Sequence, residues 1–209
     1  MRNRIRRIVA DHFHSYRGAY LLVGLCLATG MLLGTFTINI LNDQQRLELG
    51  QYIDAFLRDL LQGQIVLQNE TFFWGYLLSN LRIALVLWIL GGIMVGLPFA
   101  LLFVGFRGYI IGFSTGFLVY EKGLAGALFA AAAMMPHHLV AVPGLMIAGA
   151  AAVQFSSNLL YARLTRRPFP LWPEFTRYSI IMLLAAAWLC AAALVETYIT
   201  PLFIQLALG

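Results

Sequence analysis

Four long runs without a charged residue constrain the fold of this chain more than any other feature of its sequence. The runs cover residues 18–41, 83–106, 124–162 and 178–195, and they contain 24, 24, 39 and 18 residues. A helix needs about 20 consecutive apolar residues to cross a lipid bilayer, and only 11% of the 209 residues are charged. The sequence therefore predicts an all-α protein, a polytopic bundle of membrane-spanning helices.

The distribution of arginine predicts the orientation of this bundle. Five arginines precede the first run and four lie within residues 163–177, whereas residues 42–81 are mainly acidic. Because basic loops stay in the cytoplasm, we expect the amino terminus and the 163–177 loop to be cytoplasmic. Residues 42–81 and the carboxyl terminus are then outside. The arginines on the cytoplasmic side account for the net charge of +5. We therefore expect no nucleic-acid partner. The arginines expected in the cytoplasm are Arg2, Arg4, Arg6, Arg7, Arg17, Arg107, Arg163, Arg166, Arg167 and Arg177.

We expect one integral membrane domain over residues 1–209, with about five spans. The 39-residue run is too long for one straight span, since a helix of that length measures about 58 Å. Pro136 interrupts the run, so we expect a half-helix from 124 to 135, a break at Pro136 and a span after it. The expected spans are residues 18–41, 83–105, 107–120, 124–161 (broken at 136) and 178–199.

The outer segment, residues 42–81, contains an amphipathic helix and an aromatic belt. The stretch LELGQYIDAFLRDLL (47–61) repeats apolar residues at helical spacing, which predicts a helix on the membrane surface or packed over the bundle. TFFWGYLLSNLR (71–82) supplies aromatic residues at the outer interface, with Asn80 and Arg82 where the second span enters. We interpret this segment as a candidate docking surface for a partner, through Tyr52, Phe56, Arg58, Asp59 and Trp74.

Two glycine stripes predict close contacts between helices. Gly30 and Gly34 form a GxxxG pair, and Gly108, Gly112 and Gly116 repeat at four-residue intervals. Such stripes let another backbone approach closely, either within the subunit or across a dimer interface. We expect the stripes to hold helices together, and we expect one of the two to form the interface of a homodimer.

Pro136, His137 and His138 are the unusual polar feature of the longest apolar run. Three interpretations compete: the imidazoles satisfy carbonyls freed at a helix break, they handle protons or ions, or they bind a metal. Neighbouring side chains on a helix point about 100° apart, and no HExxH or Cys/His cluster is present. We therefore favour the structural role and expect no metal and no cofactor. Signatures of hydrolases and nucleotide-binding loops are also missing, so we expect no catalytic residues and no enzyme.

Several stretches taken in order resemble the stage II sporulation protein M family of bacterial membrane proteins. They are GTFTINIL (34–41), LLSNLRIALVLWILGGIMVGLP (77–98), RGYIIGF (107–113) and PHHLVAVPGLMIAG (136–149). Each stretch alone is an apolar pattern of low specificity. Their order, together with the Asn-x-Arg and Pro-His elements, makes the resemblance more specific, and it covers most of the chain.

The resemblance implies a role that composition alone does not. The sporulation protein of this family looks like a non-enzymatic anchor in the engulfment machinery. It works there with an amidase and a lytic transglycosylase that remodel septal peptidoglycan. By this resemblance, the chain would hold these hydrolases at the outer face of the mother-cell or septal membrane. Two alternatives remain open: a small permease or channel-like subunit that uses a broken helix at Pro136–His138, and, less favoured, an intramembrane metalloenzyme.

Overall fold

The computed structural model of the protein describes residues 16–61 and 70–208, and every regular element in these ranges is helical. The expected cytoplasmic residues Arg2, Arg4, Arg6 and Arg7 lie outside the described residues. We number the helices α1 (Arg17–Thr37), α2 (Asp43–Leu61), α3 (Glu70–Gly92), α4 (Gly96–Leu164), α5 (Leu171–Leu194) and α6 (Thr200–Leu208), with a π-helical turn (Val195–Ile199) joining the last two. The protein is therefore an all-α helical bundle.

Four helical stretches are long and apolar enough to cross a membrane: Arg17–Thr37, Phe73–Gly92, Gly96–Leu164 and Leu171–Ile204. The longest of them, α4, is a hairpin, because the chain leaves helical geometry at Gly123 with φ 58° and ψ −133°. Glycine tolerates this left-handed region far better than residues with a Cβ. The first arm (96–122) and the second arm (124–164) run antiparallel, so that Thr115 lies beside Met134 and Val104 beside Gly149. Five apolar segments result, in agreement with the number expected.

The expected break at Pro136 is wrong. The second arm of α4 stays helical through both Pro136 and Pro143, whereas the chain does reverse at Gly123, between the expected spans 107–120 and 124–161. A proline removes one backbone hydrogen bond, but neighbouring helices in a membrane bundle can satisfy the freed carbonyls. Trp188 of α5 donates its Nε1–H over 2.8 Å to the carbonyl of Val140, next to the Leu139 carbonyl that Pro143 leaves without its backbone donor.

The expected boundary between the second and third spans, near Arg107, is also wrong. Helix α3 ends at Gly92 and α4 begins at Gly96, so that Arg107 lies in the interior of the first arm. The hydroxyl of the fully buried Ser156 lies 2.9 Å from the carbonyl oxygen of Ile93 and satisfies a group that the turn leaves open. Ser156 comes from the other arm, so this contact is not visible in residues 83–106, although Gly91, Gly92, Gly96 and Pro98 there are residues typical of turns.

The bundle core lies along the second arm of α4, where small residues between 144 and 156 are buried. Tyr178 of α5 reaches past this arm and donates its hydroxyl to the carbonyl oxygens of Leu87 and Trp88 in α3, at 3.0 Å and 2.9 Å. Its ring stacks on Phe155 with centroids 4.7 Å apart. The second arm is thus the central helix, with α3 and α5 connected across it.

The two glycine stripes pack against each other within the chain. A Cβ at Gly30 would overlap the backbone of Gly105, and a Cβ at Gly108 or Gly112 would overlap the carbonyls of Leu27 or Met31. Gly34 likewise meets the backbone of Tyr109 and Phe113, and Gly116 lies against Thr35 and Ile38. The close helix contact is therefore the one between α1 and the first arm of α4. The glycine faces that suggested a homodimer are already filled.

Helix α2 is a separate amphipathic helix at the end of the bundle where the hairpin turns. It begins with a capping box, in which Asn42 Oδ1 accepts the N–H of Gln45 and Gln45 Oε1 accepts the N–H of Asn42. Arg46 donates to the hydroxyl of Tyr120 over 3.1 Å and to carbonyls at the end of α1. Asp54 forms an ion pair with Lys122. These side chains tie α2 to the tip of the hairpin.

Candidate functional site

A cavity of about 360 Å³ lies inside the bundle, between α3, both arms of α4 and the end of α5. We call it the core cavity. Burying a polar side chain in the membrane interior costs free energy, so such residues usually mark functional sites. Helix α3, both arms of α4 and the π-helical turn after α5 each contribute at least one polar side chain to the walls. These side chains are Tyr76, Ser79, Asn80, Arg107, Ser114, His137, His138 and Glu196.

The centre of the polar wall is a contact between Glu196 and His137. Glu196 Oε2 lies 3.1 Å from Nδ1 of His137, and the same nitrogen lies 3.3 Å from the carbonyl oxygen of Ala192. Both side chains are largely buried, with exposed fractions of 25% and 13%. A carboxylate and an imidazole so close together can share a proton.

Glu196 belongs to the π-helical turn, in which the N–H of Thr200 bonds to the carbonyl of Val195, five residues earlier. Such turns are rare, and they occur frequently at functional sites. Since α5 and α6 are both regular helices on either side, the turn is a local change in one continuous helix. It carries the only carboxylate among the described residues that line the core cavity.

Arg107 extends the site on the opposite wall. It projects from the first arm, is half-buried and lines the core cavity. Within residues 16–61 and 70–208 its guanidinium makes no hydrogen bond and no ion pair, since the two ion pairs formed there are Lys122–Asp54 and His137–Glu196. We expected Arg107 to mark the cytoplasmic end of a span, and for that reason it was not among the candidate site residues.

Asn80 is an interior residue rather than the interfacial residue we expected. Its side chain is 3% exposed and lines the core cavity, and its Nδ2 has no hydrogen-bond partner in the described part of the chain. Arg82, two residues further along α3, is exposed and does not line the cavity. A buried amide without a partner usually has a ligand, a water or an ion to bind.

His137 and His138 line the core cavity together, with their ring centroids 5.2 Å apart. Since the helix does not break at Pro136, the imidazoles are not needed to satisfy a broken end, and the partners of His137 come from α5 and the π-helical turn. The described residues contain no group of three or more His, Cys, Asp or Glu side chains placed to hold a metal ion.

The signal that could have found this site was present in the sequence. Arg107 and Glu196 are single ionisable residues directly beside long uncharged runs, and an ionisable residue within a membrane helix is a marker of function. We treated both as residues at the ends of spans. The helix boundaries depend on contacts between residues distant in sequence, and they place both residues on the wall of the core cavity.

The candidate docking residues lie away from the core cavity, and none of those described lines it. Tyr52 on α2 and Trp74 on α3 are 74% and 58% exposed. Arg58 is exposed and Asp59 is half-buried. The side chain of Phe56 lies outside the described residues.

Comparison with known proteins identifies the family. No curated protein and no solved structure matches the chain. A family model described as Stage II sporulation protein M matches residues 23–201, which include most of α1, the α4 hairpin and all of the residues that line the core cavity. The chain, a multi-pass helical membrane protein, therefore belongs to the stage II sporulation protein M family.

Proposed function

We propose that this protein is a non-enzymatic membrane scaffold that holds peptidoglycan hydrolases, an amidase and a lytic transglycosylase, at the septal or mother-cell membrane during engulfment. Membership of the sporulation family supports this role. The single structural observation behind it is α2, an amphipathic helix that stands beside the bundle and is attached mainly through Arg46 and Asp54. A helix that contributes so little to the bundle is available for a partner.

The surface around α2 has the composition of a docking site. Tyr52 and Trp74 are large aromatic side chains held in exposed positions, and aromatic residues are enriched at protein interfaces. Arg58 is exposed on α2, six residues after Tyr52, and adds a charge to the same helix. A membrane-proximal segment of a hydrolase with apolar and acidic residues would complement this surface.

The distribution of charge supports an outward position for this surface. The end of the bundle that carries α2 has Asp43, Glu48 and Asp54, whereas the opposite end has three arginines in and after the last turn of α4. Basic ends of membrane proteins face the cytoplasm. With α2 outside, the carboxyl terminus is outside as well, and the docking surface faces the wall that the hydrolases degrade.

Cross-linking in sporulating cells tests the scaffold. Cysteines replacing Arg58 or Asp59 carry a short photoactivatable cross-linker, and an Arg166→Cys variant at the opposite end of the bundle is the matched control. We expect Arg58→Cys and Asp59→Cys to capture an amidase or a lytic transglycosylase, identified by mass spectrometry, and Arg166→Cys to capture neither. Capture of lipid or of a second copy alone would show that α2 is not the docking site.

The core cavity favours a second candidate function, a small permease or channel-like subunit. Polar side chains in the interior of a membrane bundle often lie on ion or substrate pathways. Reconstituted liposomes with a pH-sensitive dye inside distinguish this function from the scaffold. A flux that His137→Ala and His138→Ala abolish would favour the permease, whereas liposomes no leakier than protein-free ones would leave the scaffold as the function.

A further inference from the structure

The wall of the core cavity carries a positive charge that no described side chain pairs with directly. Arg107 is half-buried and lines the cavity, and none of the described carboxylates forms an ion pair with its guanidinium. A buried charge is costly unless it is paired and hydrogen-bonded, and more so in a bilayer. Something other than the described side chains is therefore expected to face this guanidinium.

Glu196, the carboxylate of the cavity, is already engaged by His137 at 3.1 Å. Glu196 attracts Arg107 electrostatically, but it contacts His137 and forms no ion pair with the guanidinium, whose N–H donors stay open to a ligand. The remaining polar groups of the cavity can also donate hydrogen bonds. Asn80 Nδ2 is buried without a partner, and the hydroxyl of Ser114 and the ring of His138 line the same space.

We propose that the core cavity binds a phosphate group, carried by a lipid or free in solution. Arg107 makes the charged contact, and Asn80 and Ser114 donate hydrogen bonds. The planar guanidinium presents its N–H donors in a fork that matches the oxygens of phosphate. This binding site goes beyond the scaffold function and does not depend on it.

The size of the cavity limits the ligand. Small-molecule sites in proteins measure about 300–1,000 Å³, and a cavity of about 360 Å³ is at the lower end of this range. It has room for a phosphate and a short attached group such as glycerol, but not for a peptide or a glycan strand. Apolar walls from Ile83 and Leu189 can contact the carbon atoms of such a group.

Binding measurements on the purified full-length chain in detergent test the site. The probes are inorganic phosphate and dihexanoyl phosphatidylglycerol, titrated by calorimetry and checked by native mass spectrometry. Arg107→Gln removes the guanidinium, and Arg82→Gln removes the same charge from an exposed position on α3 and is the matched control. We expect Arg107→Gln to weaken binding about ten- to a hundredfold, as for a lost charged hydrogen bond, and Arg82→Gln to leave it unchanged.

Two further variants keep the test decisive if Arg107→Gln does not give monodisperse protein. Arg107→Lys retains the charge without the fork and should weaken binding less than Arg107→Gln. Asn80→Ala removes one donor and should weaken it by roughly tenfold. Competition by inorganic phosphate indicates a free ligand, and saturable binding of the lipid alone indicates a headgroup. The proposal is overturned if neither probe binds, or if the variants lose no more affinity than Arg82→Gln.

Discussion

The two sides of the first arm of α4 show opposite solutions to packing in a membrane. On the side towards α1, Gly108 and Gly112 bring two backbones into contact and leave no space for a single added carbon. On the other side, Arg107 and Ser114 face a cavity of about 360 Å³. Both sides belong to one helix within residues 96–122. The difference between them therefore comes from which side chains each side carries.

This difference indicates which side stabilises the bundle and which side is kept for another purpose. Membrane helices associate through close van der Waals packing, and small residues make that packing possible. A cavity gives up such contacts, and buried polar groups add a further cost. The glycine side is therefore the closely packed part of the arm, and the cavity side is where we propose that a ligand binds.

The largest effect is expected on the glycine side. Gly112→Leu places a side chain where the carbonyl of Met31 lies, and the backbone of α1 can yield only by moving away. Overpacking of this kind costs about 3 kcal/mol or more. The free energy of unfolding, measured by titration with sodium dodecyl sulfate in mixed micelles, should fall by at least this amount.

Gly75→Ala is the control for this substitution, because an added Cβ at Gly75 has no neighbour within 4 Å. It should leave the free energy of unfolding unchanged or raise it slightly, since alanine is the better helix former by up to about 1 kcal/mol. A Gly112→Leu variant as stable as Gly75→Ala would mean that α1 and the first arm are not in close contact.

An intermediate effect is expected on the cavity side, from the contact between Glu196 and His137. Glu196→Ala leaves the imidazole without its carboxylate, and a buried polar group that loses its partner costs about 1–3 kcal/mol. Removing both residues costs less than the sum of the single changes, because the second removal leaves no orphaned group. A double-mutant cycle with His137→Ala, measured by the same titration, should give a coupling of about 0.5–3 kcal/mol. Additive losses would show that the two side chains do not interact.

The smallest effect is expected where the cavity has space to fill. Ser114 lies two residues from Gly112 but on the wall of the core cavity. Methionine is flexible enough to occupy irregular spaces, so Ser114→Met should stay within about 1 kcal/mol of the unsubstituted protein. The thermal midpoints of this variant and of Gly112→Leu, both followed by fluorescence-detected size-exclusion chromatography, measure the change in stability. A loss as large as that of Gly112→Leu would remove the distinction between the two sides.

The sequence was sufficient for the features that depend on composition and on local periodicity. Uncharged runs predicted an all-α membrane bundle, and the spacing in residues 47–61 predicted the helix now seen as α2. The glycine spacing correctly predicted close helix contact, but it does not encode the partner. Whether a stripe faces another helix of the same chain or a second copy depends on the whole arrangement.

The cavity could not be predicted because it depends on contacts between distant residues. The turn after α3 is satisfied by Ser156, more than sixty residues later, and its position moves Arg107 from the expected end of a span into the membrane interior. We expected Pro136 to end a helix, but the second arm stays helical through it. A side chain that supplies a missing backbone partner leaves no periodic pattern along the chain.

The π-helical turn at Val195–Ile199 has a consequence for the way relatives of this chain are aligned. A π turn holds one residue more than an α-helical turn of similar length, so deleting one residue here would restore a regular helix without breaking it. The helices on either side would keep their faces, and only the side chains of the turn, Glu196 among them, would change position relative to the core cavity. A one-residue alignment gap at this point therefore predicts a relative that has the same helices but a different side chain or position for this acid.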